Sequence, residues 1–158
     1  MVPGAPHGKW RGQKQTKQSW TSTGKSMALA LDTNCVLRWL LQDNKDQANV
    51  VAQYLETSPS KLHVADMVFA EAVWVLKKFY EFDDELIEGF MRKLVEHDKI
   101  NCNRALFGQV LDHINTSPKV SFVDTCLVFY AGLGDAKLLT FDKTLAKKFP
   151  RLTKLTGE

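Results

Sequence analysis

After residue 26, short apolar runs alternate with longer amphipathic stretches along the chain, and that alternation limits what it can fold into. The runs at 27–31, 61–64, 100–102, 137–141 and 152–155 are too short for helices and read as buried strands. Between them lie stretches with apolar residues at helical spacing. One follows Asn34; others occupy 46–56, 66–80, the segment behind Asp83 or Asp84, 104–114, 123–133 and 144–149. Short apolar strands alternating with helices predict parallel β–α–β units. The expected fold is α/β: a three-layer α/β/α sandwich around a short-stranded, mainly parallel central sheet.

Such sheets place ligands at the carboxyl ends of their strands, and acids occupy those places. Asp32 follows the first run, and Asp142 follows Leu138–Phe141. Glu71 lies in the first turns of the helix after the second run, among Phe69, Ala70, Ala72 and Val73. Asp124 opens the helix to Leu133, where it also reads as a helix N-cap. Four carboxylates in one cleft would repel one another, increasingly so as the local dielectric falls. A hard divalent cation such as Mg²⁺ or Mn²⁺ relieves that repulsion, since it prefers oxygen ligands and keeps several waters. Such a site activates water and stabilises the charge of an in-line phosphoryl transition state.

Charge and cysteine content narrow the field. Of 158 residues, 21 are basic and 18 acidic. Residues 1–26 carry Lys9, Arg11, Lys14, Lys17 and Lys25 and no acid, which leaves sixteen bases against eighteen acids in the remainder. The domain itself is therefore mildly acidic, and its basic pI is no evidence for a nucleic-acid surface. The leader lacks a periodic apolar face and is expected to be disordered. It reads as an expression leader or upstream mis-start before Met27, as a basic arm touching nucleic acid, or as a transit peptide. The globular domain is expected to span 27–158. No apolar run approaches the roughly 18–20 residues of a membrane-spanning helix. Cys35, Cys102 and Cys126 form neither a disulfide framework nor a zinc clasp, so a soluble cytoplasmic protein is expected.

The acids and their neighbours resemble the PIN-domain ribonucleases, most closely the VapC-like toxin branch. The pieces are Leu31-Asp32-Thr33-Asn34, Glu71 within Val68–Leu76, Val123-Asp124 through Val128 with Ala131, and Leu138-Leu-Thr-Phe-Asp142. No single piece is specific; their order, spacing and apolar framing together are. The resemblance implies a Mg²⁺- or Mn²⁺-dependent endoribonuclease. It implies Asp32 and Asp124 as direct metal ligands, Glu71 and Asp142 orienting waters or holding a second ion, and Asn34 and Thr140 as polar neighbours of the metal. It also implies a small antitoxin protein and a homodimer as partners. Candidate RNA contacts are Arg38 and above all Lys143, Lys147 and Lys148, which follow Asp142 closely.

Other readings are weaker. Asp66 is expected to cap its helix or to stand at the cleft rim, and Asp135 to sit in the turn after Gly134. Trp39 and Trp74 are expected in the core, or together with Val36 and Leu37 in an apolar patch for a partner. His63, His97 and His113 fit no catalytic arrangement, and the cysteines read as small buried apolar groups. A phosphatase with Asp-x-Asp after its first strand is disfavoured by Asp32-Thr33-Asn34. The alternative function is a fold of the same kind that binds RNA or protein with little or no catalysis.

Overall fold

A computed structural model describes residues 28–114 and 120–157. The leader 1–26, Met27 and the expected helix stop before Pro118 lie outside the described residues. Among those described, the order is α1 (Thr33–Leu41), α2 (Lys45–Thr57), β1 (Leu62–His63), α3 (Asp66–Lys78), α4 (Asp84–Glu96), β2 (Ile100–Asn101), α5 (Arg104–Leu111), α6 (Phe122–Leu133), β3 (Leu138–Thr140), α7 (Lys143–Lys148) and β4 (Thr153–Leu155). Helices surround short parallel strands, the predicted α/β class.

Local chemistry sets the helix starts. Asp32 caps α1 by accepting from Cys35 N at 2.7 Å, so the helix begins at Thr33 and not after Asn34. Asn44, Asp83 and Asn103 cap α2, α4 and α5 in the same way. Ser121 caps α6, so that helix begins at Phe122, and Asp124 lies in its first turn instead of at the cap. Asp66 is not a cap either. It is the first residue of α3, which has no side-chain cap, and its Oδ2 accepts from Asn103 Nδ2 at 3.2 Å. A carboxylate there still meets the positive end of the helix dipole.

Among the described residues, the strands pair in two parallel ladders, not in one continuous sheet. In the first, Leu62 is opposite Ile100 and His63 opposite Asn101. Ala30 bridges to His63 on the other side, through Leu31 N to His63 O and His63 N to Leu29 O, both 2.8 Å. In the second, Leu138, Leu139 and Thr140 pair with Thr153, Lys154 and Leu155. Strands of two or three residues supply few ladder bonds, so side-chain packing carries most of the fold.

That packing centres on aromatic and aliphatic groups from nearly every element. Phe69 of α3 stacks on Phe107 of α5 with centroids 3.6 Å apart, and Phe122 lies 6.0 Å from Phe69. Leu62, Val64, Leu76, Ile87, Met91, Leu94 and Ile100 are fully buried around them. Val36, Leu37 and Trp39 are buried too, but Trp74 is 62% exposed and does not belong to the core. Among the described residues no helix is long and apolar enough to cross a membrane.

Candidate active site

Asp32 stands where the chain leaves the first ladder and turns into α1, and its carboxylate is exposed. The N–H of Cys35, with smaller help from the Cys35 thiol and Asn34, holds its carboxyl below the usual carboxylate range. In return, burial and the neighbouring Asp32 raise the Cys35 thiol. The anion at position 32 is therefore stabilised, not strained by like charges as a crowded acidic cleft would have it. Asn34 is exposed one residue into the helix.

Thr33 connects this turn to α3: its hydroxyl donates to Glu71 Oε2 across 38 positions of sequence. Glu71 sits between Ala70 and the buried Ala72 and Val73, yet its own side chain points outward. Helical geometry explains this, because positions 69, 72, 73 and 76 share the core face, and 67, 71 and 74 the opposite one.

Asp124 is half-buried in the first turn of α6. Ser121 Oγ donates to its Oδ2 at 2.6 Å, and the Asp124 backbone N–H donates to the same hydroxyl at 3.0 Å. The serine hydroxyl thus caps the helix and holds the Asp124 side chain at the same time. Helices α3 and α6 pack on each other, which brings the elements bearing Glu71 and Asp124 side by side. Asp142 follows β3 and caps α7, accepting from Thr144 N at 2.7 Å and Leu145 N at 3.0 Å. Its backbone N–H donates to Thr140 Oγ1 at 3.0 Å. Asp135 has a left-handed backbone (φ 55°) in the turn after Gly134.

The structure thus joins the Asp32 turn to Glu71 directly and sets Asp124 on the adjoining helix. Among the described residues, the hydrogen bonds of Asp142 run to its own turn. Among the described residues, no three His, Cys, Asp or Glu side chains converge closely enough to hold a metal ion by themselves. The donor set is nevertheless oxygen-only, and Mg²⁺ is commonly bound by one or two carboxylates with water completing its shell. These residues fit such a water-rich site better than a closed carboxylate cage.

The basic candidates divide into committed and open groups. Arg38 donates to Gln47 Oε1 at 3.1 Å and pairs with Asp43. Lys148 reaches the His113 carbonyl at 3.3 Å, and burial lowers its pKa. Lys143 and Lys147 are exposed on α7. Burial pushes the Cys126 thiol up to about 12, so it stays protonated as an apolar group would.

Two positioning residues, Thr33 and Ser121, were not among the sequence candidates. Ser121 had a readable signal, a hydroxyl three residues before an acid ahead of an apolar run. Thr33 had none beyond standing next to Asp32, because its partner is remote in sequence. A family model described as PIN domain matches residues 29–150, a span that contains all four acids. A comparison with curated proteins finds no match.

Proposed function

The chain belongs to the PIN domain family, whose members are generally metal-dependent nucleases, and from that premise we propose that it is a Mg²⁺- or Mn²⁺-dependent endoribonuclease. The observation that supports this reading is the Thr33–Glu71 hydrogen bond, which links the turn after Asp32 to the helix that bears Glu71. Asp32 and Asp124 would hold the cation, with Glu71 and Asp142 orienting water around it. When bound, the cation supplies an activated water and neutralises charge on the scissile phosphate.

The chain's own residues prepare that site. The Cys35 N–H and the start of α1 keep Asp32 anionic and fix its direction. The hydroxyls of Thr33 and Ser121 hold the Glu71 and Asp124 carboxylates. Water oxygen bonds to phosphorus and the ribose 3′-oxygen leaves with a proton, so the products carry 5′-phosphate and 3′-hydroxyl ends.

The further reading is a cytoplasmic toxin that acts as a homodimer and is restrained by a small antitoxin. The order and spacing of its motifs, which resemble the VapC-like branch, support it. The open spacing of the acids favours one competitor, an RNA- or protein-binding domain with little catalysis.

The test is incubation of total RNA with the purified protein in Mg²⁺, Mn²⁺ or EDTA, alongside Asp32→Asn. Metal-dependent fragments with 5′-phosphate ends, absent with the variant, are expected. Wild-type cleavage rates from Asp32→Asn would overturn the mechanism. RNA retention without cleavage in either metal would favour the binding domain.

A further inference from the structure

A groove of about 310 Å³ runs between the outer face of α3 and the start of α6. That is near the lower end of the ~300–1,000 Å³ typical of small-molecule sites. Ala70, Trp74, Lys77, Lys78, Ser121 and Val123 are among the residues that line it. Trp74 is 62% exposed and Val123 51%. Among the described residues the Trp74 indole stacks on no other ring. Lys77 is paired with Asp84 at 2.6 Å, whereas Lys78 has no such partner among the described residues.

The groove adjoins the acids on two sides. Trp74 lies three residues after Glu71 and four before Lys78, so the three occupy one face of α3, with neighbours roughly 5–6 Å apart at Cβ. Ser121, on the opposite wall, is the residue whose hydroxyl holds Asp124. An open indole face followed by a free ammonium one turn along matches the alternation of base and phosphate in an unpaired strand. In a duplex the bases are already stacked and paired, and cannot reach the indole.

We propose that this groove is a stacking subsite for an unpaired base of a single RNA strand, with the adjoining phosphate on Lys78. It would select single-stranded substrate and lead the strand toward Asp124 and Glu71. The inference rests on the nuclease reading for its substrate, but it is tested by binding alone.

The experiment measures the anisotropy of a short fluorescein-labelled oligouridine with the full chain in EDTA. It compares wild type, Trp74→Ala, Trp74→Phe and Lys78→Ala, each checked for native circular dichroism. Trp74→Ala is expected to weaken binding roughly 5- to 150-fold, as loss of one stacked base does. Trp74→Phe should keep most of the affinity, and Lys78→Ala should reduce the salt slope by about 1. A labelled RNA duplex should discriminate little among the variants. Unchanged oligouridine affinity in Trp74→Ala would overturn the subsite, as would a wild type that does not bind oligouridine. Self-association that Trp74→Ala abolishes while RNA affinity stays constant would also overturn it, assigning the face to a second copy. If the wild type binds in the predicted pattern but cleaves nothing in Mg²⁺ or Mn²⁺, the subsite stands and the nuclease reading falls. If it cleaves while Trp74→Ala binds normally, the reverse holds.

Discussion

Asp32 has two duties that different substitutions separate. It caps α1 through Cys35 N, and it supplies an anionic oxygen at the head of the candidate site. Asparagine caps a helix as well as aspartate but carries no charge. Asp32→Asn should therefore change stability by no more than about 0.5 kcal/mol, the order of a lost helix-dipole interaction. Asp32→Ala, which loses the cap, should cost about 1 kcal/mol. Urea denaturation of the two variants checks this, and equal losses would mean that the cap is not what holds the turn. Asp32 was legible as a candidate because it follows a buried run directly. Its lowered pKa was not, since repulsion among four acids predicts the opposite direction. Of the two expectations for Trp74, core or an apolar patch shared with Val36 and Leu37, the structure matches neither, because position 74 shares the outer face with Met67 and Glu71 while Val36 and Leu37 are buried.

At the scale of elements, the turn between α1 and α2 shows a charge stabilising a connection. Gln42 adopts a left-handed backbone (φ 56°), and Asp43 then accepts from Arg38 and, at 2.8 Å, from the Tyr80 hydroxyl beyond the end of α3. Chiefly through the Arg38 hydrogen bond, the Asp43 carboxyl lies below its ordinary value of 3.8. A carboxylate with a depressed pKa in the folded state adds stability above its unfolded value and loses it as pH falls through the folded one. Asp43→Asn should accordingly lower the denaturation midpoint slightly near neutral pH, and the difference from wild type should vanish in strong acid. A gap that persists there would place the effect in packing instead of charge. Helix existence was readable from periodicity throughout, but starts were less so. In Ser121-Phe-Val-Asp124 two residues can cap, and the structure uses the serine.

At the scale of the whole molecule, α3, α5 and α6 meet around Phe69, Phe107 and Phe122. Phe107→Ala should cost about 3–5 kcal/mol, a large share of the roughly 5–15 kcal/mol of a typical domain, and a urea titration measures it directly. A loss near zero would show that the aromatic stack is dispensable. The layered α/β plan was legible because strand and helix runs alternate cleanly. The division of the strands into two ladders was not, because pairing of strands two or three residues long depends on how the surrounding helices pack, which periodicity does not encode. The placement of the acids carries one more consequence. Asp32 and Asp142, both candidate site residues, each close the first turn of a helix. A single G-to-A transition in either codon replaces aspartate with asparagine, which closes such a turn equally well. On the proposed reading, descendants of this gene thus have a one-nucleotide route to a folded protein without that chemistry but with its surfaces kept, free to be recruited for binding alone.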